Sequence, residues 1–257
     1  MTDWSPATYL KFEDERNRPA SDLLARVRSD RMRKIVDVGC GPGNSTDLLA
    51  RRFPEAQIVG LDNSPAMLQA ARGRLPKVRF DSADAAHWTP EPDVDLVFGN
   101  ATFHWIARHL EQLTRIFSAL SPGATLAVQM PDNTEEPTHR AMREVSLART
   151  WSASLMGAVR EPLPPVRVYY EALSPAAQRL DIWRTTYHHV LPNAAAIVEF
   201  VRATGLRRFL DPLRESERPE FLALYTEQVA AAYPPLAGGR VMLAFPRLFI
   251  IAERALR

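Results

Sequence analysis

One stretch of the chain has the residue types and spacing for ligand chemistry: Asp37-Val38-Gly39-Cys40-Gly41-Pro42-Gly43-Asn44. Glycines at 39, 41 and 43 let the backbone turn sharply and approach a ligand with no Cβ in the way. A dinucleotide fingerprint needs glycine at the first, third and sixth positions, and the sixth position here is Asn44. The spacing is instead G-x-G-x-G, with an acid two residues ahead of the first glycine. A carboxylate at Asp37 opposes phosphates and suits a ligand that carries an ammonium group. A βα turn with purely structural glycines is the other reading of the same residues. Three more polar side chains fall where apolar runs end: Asp62, Asp84 and Asn100.

The elements around these residues alternate at βαβ spacing. Lys34 to Val38 is a short β-branched run, and Asn44 to Phe53 reads as a helix with Leu48, Leu49 and Phe53 on one face. Gln57 to Leu61 is a second strand. Ser64-Pro65 then opens a helix, serine as cap and proline at its first position. Val78 to Phe80 and Val94 to Phe98 read as the third and fourth strands, Trp105 to Leu120 as a helix, and Ala124 to Met130 as the fifth strand. Strands alternating with helices at this interval imply a parallel sheet with right-handed crossovers, an α/β doubly wound fold. Its ligands bind beyond the carboxyl ends of the strands, where Asp37, Asp62, Asp84 and Asn100 stand.

After Pro131 the pattern changes. Pro137 to Met156 is helical in period, residues 161–165 break the chain with prolines, and Asp181 to Leu191 reads as a sixth strand. Two or three helices follow, around Ala194–Ala203, Gly205–Leu213 and Arg218–Tyr233. Gly239 to Arg254 is a continuous strand or a hairpin about Pro246. Helices over 137–175 and 193–235 forming a cap over the open sheet edge are the alternative arrangement.

The acids and glycines together resemble the class I S-adenosylmethionine-dependent methyltransferases. Further segments are similar to the trans-aconitate 2-methyltransferases in particular: Asp3-Trp4-Ser5-Pro6, Glu15-Arg16-Asn17-Arg18-Pro19, Pro42-Gly43-Asn44-Ser45-Thr46 and Val128-Gln129-Met130-Pro131-Asp132-Asn133. So are the strand Asp181 to Tyr187, Ala203-Thr204-Gly205-Leu206-Arg207 and Ala244-Phe245-Pro246-Arg247. One departure is Arg208, where the family pattern has proline after the arginine. The resemblance implies a single domain over 1–257 on a Rossmann-like, seven-stranded, mostly parallel sheet with a helical cap. Residues 1–30 form an N-terminal flap or helix, 31–131 the cofactor-binding core, and 132–180 with 193–237 a substrate cap inserted around strands 181–191 and 239–254.

The resemblance also implies the cofactor, S-adenosylmethionine, and its contacts. The loop Gly39, Cys40 and Gly41 with Asp37 and Asn44 takes the amino-acid portion. Asp62, which lies 19 residues beyond Gly43, accepts from both ribose hydroxyls, with Asn63 and Met67 beside it. Asp84 accepts from the adenine amino group next to the Ala85 backbone. Asn100, Trp105 and Tyr9 surround the methionine end. The N-terminal aromatics Trp4, Tyr9 and Phe12 read either as a flap over the sulfonium or as a helix packed on the core.

The implied reaction is methyl transfer to a carboxylate oxygen of trans-aconitate. A carboxylic acid of pKa about 4 is already ionised at neutral pH, so the reaction needs alignment and exclusion of water rather than a general base. No acid–base catalyst is therefore assigned. A tricarboxylate demands charge-assisted donors, and the substrate candidates are Arg16, His104, Tyr170, Arg207 and Arg247, with His139, Arg140, Arg184, Tyr169 and Tyr187 as further donors. Another small polycarboxylate such as cis-aconitate or an isopropylmalate-like acid is the rival substrate. A non-catalytic cofactor-binding protein is the rival class.

Composition narrows the partners. Lys+Arg 32 against Asp+Glu 30 gives a formal net charge of +2, with no basic surplus for nucleic acid. The one basic run, Arg26 to Lys34, has acids at its flanks and no interleaved aromatics. No run of about 18 apolar residues suggests a membrane span. A single cysteine makes an internal disulfide impossible and fits the cytoplasm. His188-His189 are adjacent and face opposite sides of a strand, so no metal is expected, and no obligate protein partner is evident. Only three lysines (Lys11, Lys34, Lys77) occur, so the positive charge is nearly all arginine, whether from codon composition or from anion capture.

Overall fold

A computed structural model describes residues 11–29, 31–148, 151–202 and 204–256. The elements in chain order are α1 (Glu13–Ala25), β1 (Lys34–Val38), α2 (Asn44–Arg52), β2 (Gln57–Asp62), α3 (Pro65–Arg74), β3 (Arg79–Ser82) and β4 (Leu96–Asn100). A 3-10 turn at Phe103–Trp105 precedes α4 (His109–Ala119), β5 (Thr125–Pro131), α5 (Pro137–Leu147) and α6 (Val166–Leu173). β6 (Ala177–Leu191), α7 (Ala194–Arg202), α8 (Arg207–Leu210), α9 (Arg218–Ala232) and β7 (Val241–Arg254) complete the chain.

The seven strands order as β3-β2-β1-β4-β5-β7-β6. β1 pairs in parallel with β2 and β4, as do β2 with β3 and β4 with β5, while β7 runs antiparallel to β5. The order reverses at β1, so the β1 and β4 carboxyl ends flank the switch point where such sheets bind ligands. Buried on both faces, the strands read as near-continuous apolar runs. Val36, Val38, Val97, Leu126, Val128 and Ile250 form one core with Leu113, Ile116 and Phe117 from α4. The apolar face of α4 has the helical period, which is why it packs there.

Several boundaries move from the sequence reading. β4 runs to Asn100 rather than stopping at Phe98, which puts the asparagine inside the ladder. The helix expected from Trp105 starts at His109, because Arg108 takes a left-handed conformation (φ 56°) and separates it from the 3-10 turn. The helix expected to reach Met156 ends at Leu147 and is followed by a 3-10 turn at Ser152–Leu155. β6 begins four residues earlier than Asp181, at Ala177. β7 is one strand, with Pro246 inside it, rather than a hairpin.

The chain divides into two compact units. The sheet unit takes the residues up to Pro131, then Leu163–Thr185 and the chain from Arg247 onward. The second unit takes Asp132–Pro162 and Thr186–Pro246. In it α9 packs on α5 and α7. Trp151 is buried against Phe221, ring centres 5.7 Å apart, and its indole N–H donates to the Val145 carbonyl at 3.0 Å. Tyr187, His189, Phe200 and Phe245 form an aromatic group in the same unit.

A candidate cofactor site at the carboxyl edge of the sheet

The glycine loop is fixed by the strand beside it. The N–H groups of Gly39 and Cys40 both donate to the Leu61 carbonyl, at 2.7 and 2.9 Å. Gly39, Gly41 and Gly43 all have positive φ, at 69°, 54° and 88°. Such angles strain any L side chain, which explains the glycines at these positions. Around Gly41 a Cβ would meet nothing within 4 Å, so the turn presents bare backbone to open space.

Asp37 sits at the end of β1 with no exposed surface. Its Oδ2 accepts from the hydroxyls of Ser45 and Thr46, both at 2.7 Å, because α2 begins at Asn44 and turns those side chains back towards the strand. Its Oδ1 is buried without a hydrogen-bond partner. Loss of water raises the Asp37 carboxyl to about 6, the two hydroxyls oppose that, and the nearby Asp62 charge adds to it. A buried carboxylate oxygen left bare at a ligand-binding edge is a place for a cationic group. The Asn44 side-chain oxygen is likewise buried without a partner, while its amide donates to Asn17.

Asp62 ends β2 and bridges two turns. Its Oδ2 accepts from the Gly41 N–H and its Oδ1 from the Ser64 N–H, both at 2.9 Å. Ser64 caps α3 by accepting from the Met67 N–H at 3.2 Å, with Pro65 at the first turn. Met67 is buried and Asn63 is exposed. The Cys40 thiol turns into a cluster with Leu68, Ala71 and Phe80, and burial pushes its ionisation up. It is a packing group there, with no thiolate available for nucleophilic work.

The loop after β3 carries Asp84, exposed, with Oδ1 accepting from the Ala86 N–H at 2.9 Å. Asn100 ends β4 in register with Gln129 of β5. Gln129 is fully buried; its amide donates to Asn100 Oδ1, and its Oε1 accepts from Arg247 Nη1 at 3.0 Å. A line of polar groups therefore crosses the ends of β4, β5 and β7. Sequence reasoning missed Gln129, although a glutamine in the otherwise apolar run Ala124 to Met130 was the signal.

The remaining candidates are distributed as follows. Arg16 is buried on the packing face of α1 with Pro19, Ala20 and Leu23. His104 is buried in the 3-10 turn after β4, its ring 4.8 Å from that of Trp105. Tyr170 points outward from α6, whereas its neighbour Tyr169 is buried and meets His109 at 2.6 Å. Arg207 belongs to the second unit and pairs with Asp211 at 3.4 Å. Arg184 is exposed. Tyr9 lies outside the described residues. Among the described residues, no group of three or more His, Cys, Asp or Glu is arranged to hold a metal ion. No helix there is long and apolar enough to cross a membrane.

Residues 35–123 match the family model described as a methyltransferase domain. A trans-aconitate 2-methyltransferase of Methylobacterium radiotolerans is 54% identical, covering 99% of this chain and 100% of that protein. Another, from Rhodopseudomonas palustris, is 55% identical over 98% of this chain and 99% of its own length. The chain belongs to the trans-aconitate 2-methyltransferase family. It is thus a methyltransferase, and the similarity runs through both units rather than the sheet alone. A solved Haemonchus contortus phosphoethanolamine N-methyltransferase 2, in complex with phosphomonomethylethanolamine and S-adenosylhomocysteine, has the same fold. There the TM-score is 0.54 at 16% identity, over 92% of this chain and 52% of that one.

Proposed function

We propose that the protein transfers a methyl group from S-adenosylmethionine to a carboxylate of trans-aconitate, giving the monomethyl ester and S-adenosylhomocysteine. The observation that carries this reading is the 54% identity to a trans-aconitate 2-methyltransferase along 99% of the chain. The residues fit the cofactor. Asp37 offers a buried, unpartnered oxygen to an ammonium group, the turn at Gly41 presents bare backbone to open space, and the Asp62 carboxylate at the end of β2 is an acceptor of the kind vicinal hydroxyls need. When bound, the cofactor supplies an electrophilic methyl on a sulfonium.

The chain's own residues hold, orient and desolvate. The substrate carboxylate arrives ionised, so no side chain has to take a proton. Asn100 turns its amide nitrogen away from Gln129, leaving N–H donors at the strand end for an oxygen. Arg16, His104, Tyr170, Arg207 and Arg247 are the substrate-binding candidates, Arg16 and Arg247 being buried guanidinium groups on the sheet unit. Arginine suits this task because its fork meets a carboxylate in bidentate fashion. No metal enters this reading, no nucleic acid or protein partner is required, and the cytoplasm is the compartment that fits a single buried thiol.

The test is a panel of acids: trans-aconitate, cis-aconitate and an isopropylmalate-like dicarboxylate, each with cofactor, read by release of S-adenosylhomocysteine. A kcat/KM for trans-aconitate at least 10-fold above the others is the expected result. A flat panel, or preference for a dicarboxylate, removes the substrate assignment.

A further inference from the structure

The loop after β3 has little structure of its own, yet it is held by an unusual number of side-chain bonds from one helix. Gln112 and Arg115 lie three residues apart on α4, hence on one face. Gln112 is buried, and its amide donates to the carbonyls of Ala85 at 2.6 Å and Trp88 at 2.9 Å. Its own oxygen accepts from Arg115 Nε at 3.0 Å, which sets which end of the amide faces the loop. The Arg115 guanidinium donates to the carbonyls of Ala86 at 3.1 Å, His87 at 3.3 Å and Trp88 at 3.2 Å, and to Thr89 Oγ1 at 2.6 Å. The two side chains together hold four consecutive carbonyls, residues 85 to 88.

That arrangement leaves a defined set of groups on the loop. Asp84 Oδ1 accepts from Ala86 N–H, which orients the carboxylate. The Ala85 N–H, by contrast, has no acceptor among the described residues. A carboxylate oxygen and a backbone N–H on adjacent residues form an acceptor–donor pair. An aminopurine edge, with an exocyclic N–H donor next to a ring-nitrogen acceptor, is complementary to it; an oxopurine edge, with C=O next to N–H, is not. Rejection of a mismatched edge requires that the loop not relax, because a mobile loop turns its groups away from an unfavourable pairing.

We propose that Gln112 and Arg115 are positioning residues that set the discrimination between adenine and an oxopurine in the cofactor. Holding the Ala85–Trp88 carbonyls keeps the Asp84 carboxylate and the Ala85 N–H in fixed relation. This rests on the reading of S-adenosylmethionine as the cofactor.

The experiment measures Kd by calorimetry for S-adenosylhomocysteine and for its inosine counterpart, with the wild type, Gln112→Glu and Arg115→Met. Gln112→Glu keeps size and the acceptor for Arg115 but loses the donors to Ala85 and Trp88. Its melting curve verifies folding, and Arg115→Met serves if it unfolds. The expected result is wild-type preference for the adenosyl ligand of at least 30-fold, reduced at least 5-fold in either folded variant. Arg115→Lys, which keeps the charge but donates from one nitrogen instead of three, is expected to fall in between. An unchanged ratio in folded variants overturns the positioning role while leaving the cofactor reading intact. Failure of the wild type to bind S-adenosylhomocysteine overturns both.

Discussion

Gly39 and Thr102 meet so closely that a Cβ built on the glycine falls 2.1 Å from the threonine hydroxyl oxygen. Gly41, two residues on, shares the positive φ but faces nothing within 4 Å. The two glycines therefore answer to different demands. Gly39 keeps β1 and the turn after β4 in contact, while Gly41 leaves open space beside the turn, which the proposed cofactor site requires. Gly39→Ala should cost about 3 kcal/mol, adding overpacking to left-handed strain. Gly41→Ala should cost about 1 kcal/mol from strain alone and still lower cofactor affinity at least 10-fold. Chemical denaturation and calorimetry on both variants check the contrast.

In the proposed site, Asp37 is expected to link cofactor binding to pH. The folded carboxyl holds its proton up to about 6, against an ordinary value of 3.8. Between those values the folded chain binds more protons than the unfolded one, so the stability of the ligand-free protein falls as pH rises through that window. Asp37→Asn is expected to stabilise the ligand-free protein at pH 7 by on the order of 1–3 kcal/mol. Cofactor affinity runs the other way, since an ammonium group needs the ionised form. It should rise as pH increases through about 6 in the wild type and stay low and flat in Asp37→Asn. Thermal melts and titrations from pH 5 to 8 measure both.

Gln129 ties Asn100 to Arg247 across three strands. Gln129→Leu removes one partner from each and should destabilise the protein by about 1–3 kcal/mol. The kinetic signature is the informative part: KM for the carboxylate substrate is expected to rise about 10-fold while the cofactor Kd stays within 2-fold. Equal loss on both sides would place Gln129 in the cofactor's support instead.

His139, at the start of α5, is held well below its ordinary value, at about 3, first by burial and then by the charges of Arg160 and Arg143. It is neutral at pH 7. A depressed histidine contributes stability above about 6.5 that is lost as pH falls towards 3. His139→Gln should flatten that part of the acid-unfolding curve, which a pH series of denaturant melts reads directly.

Much of this was legible in the sequence because the βα turns are written in local chemistry. Asp37, the three glycines, Asp62 and the Ser64-Pro65 cap each depend on neighbours a few residues away, and each stands where its spacing put it. The missed features depend on pairing across the sheet. Gln129 makes sense only beside Asn100 and Arg247, which lie 29 and 118 positions away in the chain. The break before His109 turns on a left-handed Arg108, a conformation that residue type does not announce. The tyrosines show the same limit: period alone could not say that Tyr169 faces in while Tyr170 faces out.

Transfer of a methyl group to trans-aconitate is tested most directly by incubating the purified protein with S-adenosylmethionine deuterated at the methyl and with trans-aconitate, then analysing the acid fraction by mass spectrometry. The expected product is the aconitate monoester carrying one intact deuterated methyl, formed in step with S-adenosylhomocysteine and lost in Asp37→Ala. S-adenosylhomocysteine released without a labelled ester, or no turnover by folded protein that binds the cofactor, contradicts it.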